Sequence, residues 1–302
     1  MHFSSKPFFV IAGLLASSFV AQSQVFRMSR EDMIEFTEKN PFDRFPDGRP
    51  KVPDNLMKRM NDVSAEEVWN ILHETEYKNQ WADGFQIVHP EKKLVGRVVT
   101  AQFMPMRPDV YHPAVERARK NGLPDLHNQT VIDMLQPGDV LVVDLFGKKV
   151  GGTIVGDNLF YYIYKTTRGA GLIVDGAVRD LDGISEIDMP AYFRSTDPTP
   201  IGDVMLTAIN VPIRIGDAIV MPGDLAVGDK EGVYFIPPQF VKQVIDRADE
   251  LHIHDEWTKK MFETGKYKSA EIYGSPKDPA LKKEYEEYLK QHLAEIRKQN
   301  GE

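Results

Sequence analysis

An arginine and an aspartate stand side by side in "GLIVDGAVRDLDG", where Arg179 and Asp180 follow a run of apolar and small residues. This run predicts a buried strand that ends just before the pair. In open α/β sheets, ligands bind at the carboxyl edge of the strands. Arginine can hold a carboxylate through two parallel hydrogen bonds, and an aspartate can hold a hard cation such as Mg²⁺ through one oxygen. Taken alone, the dipeptide is better explained by Asp180 as a helix cap and Arg179 in a surface ion pair.

The turn "GDN", Gly156 to Asn158, is a second candidate, because it lies between a predicted strand and a predicted helix. The backbone N–H groups of Asn158, Leu159 and Phe160 would point outward from the helix N-terminus, which is a favourable place for an anion. On its own, this turn is better explained by Asp157 as the N-cap of the helix.

The sequence "HIHDE" places His252 and Glu256 one helical turn apart, as in helical zinc sites. No third ligand of that kind is nearby in the sequence, so the favoured interpretation of the histidines is an exposed polar patch. The chain contains no cysteine, which excludes disulfides, thiol nucleophiles and thiolate metal sites. No serine lies in a Gly-x-Ser-x-Gly turn, and no dinucleotide or P-loop glycine pattern is present. Any metal must therefore be held by oxygen or imidazole.

The elements that would position these residues follow an α/β pattern. Ser64 and Glu67 form a capping-box pattern that opens a helix. Residues 107–124 are predicted to be irregular because of their prolines. Strands alternating with single helices imply a largely parallel sheet, built from "KLVGRVVTAQFMP", "QPGDVLVVDLFG", "KVGGTIV", "AGLIVDGA" and "PAYFRS". The aromatic residues of the helix "LFYYIYKTTRG" are predicted to be core residues: Phe160, Tyr161, Tyr162 and Tyr164.

The pattern changes after Thr207, where short strands with Gly-Asp turns predict a β-rich layer. A long helix with one buried side is predicted from Pro238 to Gly265. The tail then begins a further helix, with Asp278 as N-cap and Pro279 at the first helical position. The apolar stripe of this tail helix must pack either on its own domain or on a neighbouring subunit.

Length and composition are those of a globular protein, and the N-terminal residues are typical of an export signal. The chain has 302 residues, of which 42% are hydrophobic and 27% charged, with a formal net charge of −8. This acidic balance, without a basic stripe, argues against nucleic acid as a partner. Residues 1–23 combine a basic start, an apolar stretch and small residues, which predicts a cleaved signal peptide and a periplasmic or secreted protein. The apolar stretch is shorter than the about 20 residues of a membrane span, so no stable span is expected after cleavage; an uncleaved anchor is the alternative.

Between Leu94 and about Gly265, the chain resembles the RraA-like family through successive motifs: "QPGDVLVVDLFG", "GGTIVGDNL", "AGLIVDGAVRDLDGI", "DMPAYFRS" and "VMPGDLAVGDKEGVYFIP". This family contains the regulators of ribonuclease E activity and the class II 4-hydroxy-4-methyl-2-oxoglutarate/4-carboxy-4-hydroxy-2-oxoadipate aldolases. The resemblance implies an α/β fold, a sandwich of the swivelling β/β/α type. The predicted organisation is a signal peptide at residues 1–23, an N-terminal arm at 24–60, an RraA-like domain at 61–266 and a C-terminal helical tail at 267–302.

In the aldolases, as the resemblance implies, the turn matching "GDNL" binds the carboxylate of a pyruvate unit through backbone N–H groups. The arginine matching Arg179 binds the pyruvate oxygens and stabilises the enolate, and the aspartate matching Asp180 holds a largely hydrated Mg²⁺ or Mn²⁺. The aspartate matching Asp157 helps position a water next to the metal for proton transfer. A glutamate from an adjacent subunit, matched here by Glu256, completes the metal's outer shell, which implies a homotrimer or hexamer. The implied substrate-binding residues are Gly156, Asp157, Asn158, Leu159 and Arg179.

The predicted function is an exported, metal-dependent carbon–carbon lyase that forms pyruvate from a 2-keto acid. Retro-aldol cleavage and oxaloacetate decarboxylation share the same enolate, whose formation needs an electron sink that a divalent cation and an arginine can provide. One alternative is a non-catalytic binding protein like the ribonuclease regulators, against which export counts because ribonuclease E acts in the cytosol. Another is a site adapted to a different hydroxy, keto or sugar-derived acid.

Overall fold

A nine-stranded mixed sheet lies at the centre of the protein. The structure is a computed structural model that describes residues 27–120 and 127–300, so the predicted signal peptide lies outside the described residues. The strands are β1 Trp81–Ala82, β2 Gln86–Val88, β3 Leu94–Pro105, β4 Asp139–Thr153, β5 Leu172–Val178, β6 Ala191–Thr196, β7 Val204–Ile209, β8 Ile213–Ile215, β9 Ala218–Val220, β10 Leu225–Asp229 and β11 Gly232–Ile236.

Helices cover this sheet and extend beyond it at both ends of the described chain. They are α1 Arg30–Phe36, α2 Asp54–Met60, α3 Ala65–Leu72, α4 Pro108–Lys120, α5 Asn128–Ile132, α6 Asp157–Thr167, α7 Leu181–Ser185, α8 Val241–Glu263, α9 Ser269–Ile272 and α10 Pro279–Asn300. A 3₁₀ turn, Pro238–Phe240, precedes α8. No helix in these described ranges is long and apolar enough to cross a membrane.

The sheet has the strand order β1-β11-β10-β3-β4-β5-β6-β2, and β7 pairs with the carboxyl-terminal half of β3. The four central strands β3 to β6 run parallel, while the flanking strands are antiparallel. Every residue of β5 is buried, as expected for a parallel strand that is covered on both faces. Because β4 and β5 are parallel, α6 and α7 both begin at the same edge of the sheet.

Three apolar clusters hold these layers together. Helices α4 to α7 pack on one face of the parallel strands, and the β8–β9 hairpin covers the other. Helices α2, α3 and α8 pack on β10 and β11. The predicted α/β sandwich with an N-terminal arm and a C-terminal helix is confirmed, and the domain limits at residues 60 and 266 stay predictions.

Two local predictions were wrong. The predicted strands "QPGDVLVVDLFG" and "KVGGTIV" form one strand, β4, whose register against β5 shifts twice after Asp144. In the proline-rich segment, residues 108–120 form the helix α4, with Pro108 at its start and Pro113 inside it, so the prediction of irregular chain was wrong for these residues. A proline at the first helical position removes no hydrogen bond, and packing of Val115 and Ala118 on the core outweighs the cost of Pro113.

The capping predictions were confirmed. Ser64 and Glu67 form the full capping box at the start of α3. Asp278 accepts hydrogen bonds from the N–H groups of Ala280 and Leu281 at 3.0 and 2.9 Å, which caps α10.

Candidate active site

The site begins where β4 leads into α6. Gly156 is the N-cap residue and Asp157 is the first residue of the helix, so the alternative in which Asp157 is the N-cap was wrong by one position. A β-carbon at Gly156 would lie 2.3 Å from Oδ2 of Asp180 and 2.9 Å from Nε of Arg179. Only glycine therefore fits between the helix N-terminus and this charged pair.

Asp157 faces the start of α7. Oδ1 of Asp157 accepts the N–H of Asn158 at 2.7 Å. A β-carbon added at Gly183 would lie 2.9 Å from the β-carbon of Asp157. The N–H of Phe160 donates to the carbonyl of Gly156 at 3.0 Å, so the expectation that it points outward was wrong. The N–H groups of Asn158 and Leu159 precede this first helical hydrogen bond.

Arg179 and Asp180 follow the buried strand β5, as predicted. The N–H of Arg179 donates to the carbonyl of Val155 at 3.2 Å, which fixes the pair beside the β4–α6 turn. Asp180 has φ +57°, a left-handed conformation that is uncommon for residues other than glycine and recurs at ligand sites. It stands at the N-cap of α7, yet its side chain makes no capping hydrogen bond.

The charged pair is open to solvent. Nε of Arg179 lies 3.3 Å from Oδ2 of Asp180, and the two side chains are 38% and 47% exposed. Helix capping does not use the carboxylate, and one long contact leaves most of the guanidinium unused. Both groups are therefore accessible to a ligand at the carboxyl edge.

The structure does not bring Glu256 to this site within one chain. Glu256 lies on the exposed side of α8, where Oε1 accepts from Nζ of Lys260 at 2.5 Å and from the hydroxyl of Tyr288 at 3.3 Å. The bond from Lys260 lowers the pKa of the Glu256 carboxyl. A role for Glu256 in the site of an adjacent subunit stays a prediction.

The histidines of "HIHDE" have structural partners. Nε2 of His252 lies 2.7 Å from Oε1 of Glu67, and this contact raises the pKa of His252. His254 packs edge-on against the ring of Tyr285 of the tail helix. His252 is 45% exposed and His254 only 15%, so the prediction of an exposed polar patch was confirmed for His252 and wrong for His254.

The aromatic helix α6 is only partly a core element. Phe160 is fully buried, whereas Tyr161 and Tyr162 are 52% and 45% exposed, so the core prediction was wrong for these two tyrosines. Helical geometry explains the difference, because Phe160 and Ile163 occupy the face toward the sheet and the two tyrosines point away from it.

Two supporting residues escaped the sequence analysis. Gly183, against Asp157, was signalled only by a glycine inside a predicted helix, which often marks a close approach. Asn128, at the start of α5, donates from Nδ2 to the carbonyl of Ile154 at 2.6 Å and so holds the end of β4. No local pattern distinguishes Asn128 in its polar segment.

The donor set fits a hydrated hard cation. Across residues 27–120 and 127–300, no group of three or more acidic, histidine or cysteine side chains could enclose a metal. Mg²⁺ needs only one or two carboxylates, since it keeps several waters. The half-exposed carboxylate of Asp180 offers such a ligand, whereas a zinc site closed by protein side chains would need more.

Several known proteins are similar to this chain. A family model described as RraA-like, Aldolase/RraA, matches residues 59–235. A protein of Halalkalibacterium halodurans, provisionally named a 4-hydroxy-4-methyl-2-oxoglutarate aldolase, is 37% identical over 120 residues, which are 40% of this chain and 56% of that protein. An uncharacterised Methanocaldococcus jannaschii protein is 29% identical over 111 residues, 37% of this chain and 53% of its own. The chain thus matches about half the length of these curated relatives.

Solved structures share the fold. RraAS2 of Streptomyces coelicolor, described as an unusual member of the RNase ES inhibitor RraA protein family, has a TM-score of 0.57 and 27% identity, covering 72% of this chain and 99% of its own. An uncharacterised Pseudomonas syringae protein has a TM-score of 0.59 at 20% identity, covering 75% and 94%, which shows the fold alone. Because the family model matches more than half of the chain, the chain belongs to the RraA-like family.

Proposed function

We propose that this protein is a divalent-metal-dependent lyase that cleaves a 2-keto acid to pyruvate through an enolate. One observation carries the proposal: the backbone of Gly156, the guanidinium of Arg179 and the carboxylate of Asp180 meet at distances that exclude any side chain at position 156. A helix N-terminus, an arginine and an acidic ligand are thereby collected at the edge of the sheet where α/β proteins bind ligands. The identity to a provisionally named aldolase supports the same reaction class.

In this proposal, the N–H groups of Asn158 and Leu159 hold the substrate carboxylate, as anions are held at helix N-termini. The substrate replaces Oδ1 of Asp157 as the acceptor of the Asn158 N–H. Arg179 binds the keto oxygen and offsets the negative charge that develops there. In the retro-aldol reaction, the C4 hydroxyl gives its proton to a water held by Asp157. The C3–C4 bond breaks, and its electron pair forms the enolate of pyruvate while the second product leaves with a new carbonyl group. The enolate is then protonated at carbon, and Asp157 holds the water that carries the proton.

In oxaloacetate decarboxylation the C3–C4 bond also breaks and its electron pair forms the same enolate, while the C4 carboxylate leaves as carbon dioxide without any loss of a hydroxyl proton. A divalent cation, held by Asp180 and, in our proposal, by Glu256 of a neighbouring copy, supplies positive charge beside the keto oxygen when bound. Arg179 stays in place in both reactions, so one site serves either substrate.

An assembled form is part of the proposal. The second half of β4, the end of β3 and the residue after it carry large apolar side chains that are 36–70% exposed in a single chain: Met104, Met106, Phe146 and Val150. Exposed apolar patches of this kind mark contacts with other proteins. A homotrimer or hexamer would cover them and could bring Glu256 of one copy toward the site of the next.

Export also belongs to the proposal, supported by the signal-peptide pattern of residues 1–23. Sequencing the N-terminus of the protein recovered from the periplasm or the medium tests it. A new N-terminus near residue 24 is expected, and an intact leader on protein found only in the cytosol would contradict export.

The deciding experiment measures pyruvate release from oxaloacetate and from 4-hydroxy-4-methyl-2-oxoglutarate, with Mg²⁺, with Mn²⁺ and with excess chelator. We expect metal-dependent release that chelation abolishes and added metal restores. Asp180→Ala should abolish turnover, while Asp182→Ala, in the exposed first turn of α7, serves as the matched control. Full metal-dependent activity of Asp180→Ala would contradict the site assignment.

A second candidate function is non-catalytic binding, as in ribonuclease regulators, and the 27% identity to RraAS2 favours it. Absence of pyruvate from both compounds, in a folded and assembled protein, would favour this function or a site adapted to another hydroxy or keto acid. Ligand binding to the Arg179 site would then separate these two alternatives.

A further inference from the structure

The tail helix α10 packs on α8 at its start, whereas its end is exposed to solvent. Leu281 is buried, and the ring of Tyr285 lies 4.9 Å from that of Trp257 on α8. From Leu289 to Asn300, the side chains of Leu289, Leu293 and Ile296 are half-buried and that of Ala294 is exposed. This helix lies outside residues 59–235, which the family model matches.

An open groove of about 520 Å³ runs along this part of α10. Six residues line it, spread over three helical turns: Glu286, Leu289, Lys290, Leu293, Ala294 and Arg297. The groove has an acidic end at Glu286 and a basic end at Arg297. Within the described ranges, neither of these two side chains forms an ion pair in its own chain.

This order of charges is self-complementary. In an antiparallel pair of α10 helices whose two-fold axis passes between Gln291 and His292, Glu286 faces the partner's Arg297 at both ends of the contact. Leu293 and the aliphatic stem of Lys290 then meet near the axis, since lysine stems cover apolar surface while their ammonium groups stay in water. Two copies of one chain thus supply both halves of the match.

We propose that the groove of α10 is the docking surface for α10 of a second copy, in an antiparallel, two-fold symmetric pair. Three helical turns form a small contact, far below the about 1,200 Å² that stable interfaces bury. The pairing therefore joins assemblies that already hold several copies, where repeated contacts strengthen one another.

The test measures the mass of the purified protein and its variants by light scattering over a range of concentrations. Leu293→Glu puts a charge at the centre of the contact, and we expect an assembly of half the wild-type mass with unchanged helix content by circular dichroism. Glu284→Arg, on the opposite side of α10, is the matched control and should keep the wild-type mass.

Charge reversal tests the orientation. Glu286→Arg and Arg297→Glu should each weaken the association about tenfold, because each places like charges together at both ends of the contact. The double variant Glu286→Arg/Arg297→Glu should restore it. Equal masses for the wild type and Leu293→Glu at all concentrations would overturn the docking surface. Failure of the double variant to recover would overturn the antiparallel pairing.

Discussion

Two arginine–aspartate pairs differ sharply in this protein. Arg49, in the N-terminal arm, donates to both carboxylate oxygens of Asp139 at 2.9 and 3.3 Å, and the two side chains are 3% and 0% exposed. Arg179 approaches Asp180 through Nε alone at 3.3 Å, and both side chains are more than one-third exposed. The first pair is closed to other molecules, and the second is open.

The partners around each pair explain the difference. Arg49 also donates to the carbonyl of Val98 and lies over the ring of Phe45, while Asp139 accepts the N–H of Gln136. These contacts occupy both carboxylate oxygens of Asp139 and both terminal nitrogens of Arg49, and leave Nε of Arg49 buried without a partner. The pair fastens the arm to the start of β4. The open pair has the same chemistry with most of its hydrogen-bonding groups unused, which leaves it available to a ligand. Substitutions in the two pairs should therefore separate stability from activity.

Breaking the buried pair should have the largest effect. Arg49→Met keeps an unbranched apolar side chain beside Phe45 but leaves the carboxylate of Asp139 buried without its cation, which costs about 3–5 kcal/mol of unfolding free energy. Chemical denaturation measures this loss. The exposed Lys51→Met serves as control, and the double variant Arg49→Met/Asp139→Leu should recover much of the stability. An Arg49→Met variant as stable as the wild type would show that the arm is not held by this pair.

Arg179→Ala should show the opposite behaviour. We expect kcat/KM for pyruvate release to fall about 100–1,000-fold, the usual cost of removing a group that stabilises a developing oxyanion. The unfolding free energy should change by less than about 1 kcal/mol, since exposed ion pairs contribute little. Steady-state kinetics and denaturation on the same samples measure both, with Arg107→Ala, at an exposed surface pair, as control. Loss of activity only in proportion to loss of folded protein would contradict the catalytic assignment.

Gly156→Ala tests whether the site needs close contact between its parts. The added methyl group would lie 2.3 Å from Oδ2 of Asp180, so the charged pair or the helix must move. Displacements of about 1 Å can cost up to about 100-fold in rate, and we expect a loss of this size in kcat with the fold retained. Gly202→Ala is the matched control, because its nearest atom would be 3.9 Å away. Equal activity of the two variants would show that the contact at Gly156 does not matter.

The sequence predicted the open pair far better than the buried one. Arg179 and Asp180 are adjacent and follow an unmistakable buried strand, so the carboxyl-edge rule placed them correctly. Arg49 and Asp139 are separated by 90 positions, and no local pattern connects them. The merging of two predicted strands into β4 has the same cause, because pairing with β5 extends it beyond its local signals.

Errors within helices have a different origin. Periodicity located α6, but which of its aromatic residues face the sheet depends on how the helix is rotated against β4 and β5, so Tyr161 and Tyr162 were placed in the core. The proline-rich segment forms α4 because tertiary packing outweighs local propensity. Gly156, Arg179 and Asp180 lie together as predicted, since turns and strand ends position them, whereas Glu256 lies on a helix face and its role stays a prediction.

The comparison extends to Asp224, a buried carboxylate that has no arginine partner in the described structure. Its substitution should give the smallest effect on stability. Asp224 is 2% exposed, and its Oδ2 accepts the N–H of Met221. Burial raises the pKa of Asp224 from 3.8 to about 7. Between pH of about 4 and about 7, the folded protein therefore keeps a proton that the unfolded chain has already released. The contribution of Asp224 to the unfolding free energy therefore falls as the pH rises from about 4 to about 7, and does not change further above about pH 7. Asp224→Asn should become progressively more stable relative to the wild type across this range, whereas the exposed Asp217→Asn should not. Denaturation at several pH values measures the difference, and a difference that does not vary with pH would mean that Asp224 stays ionised despite its burial.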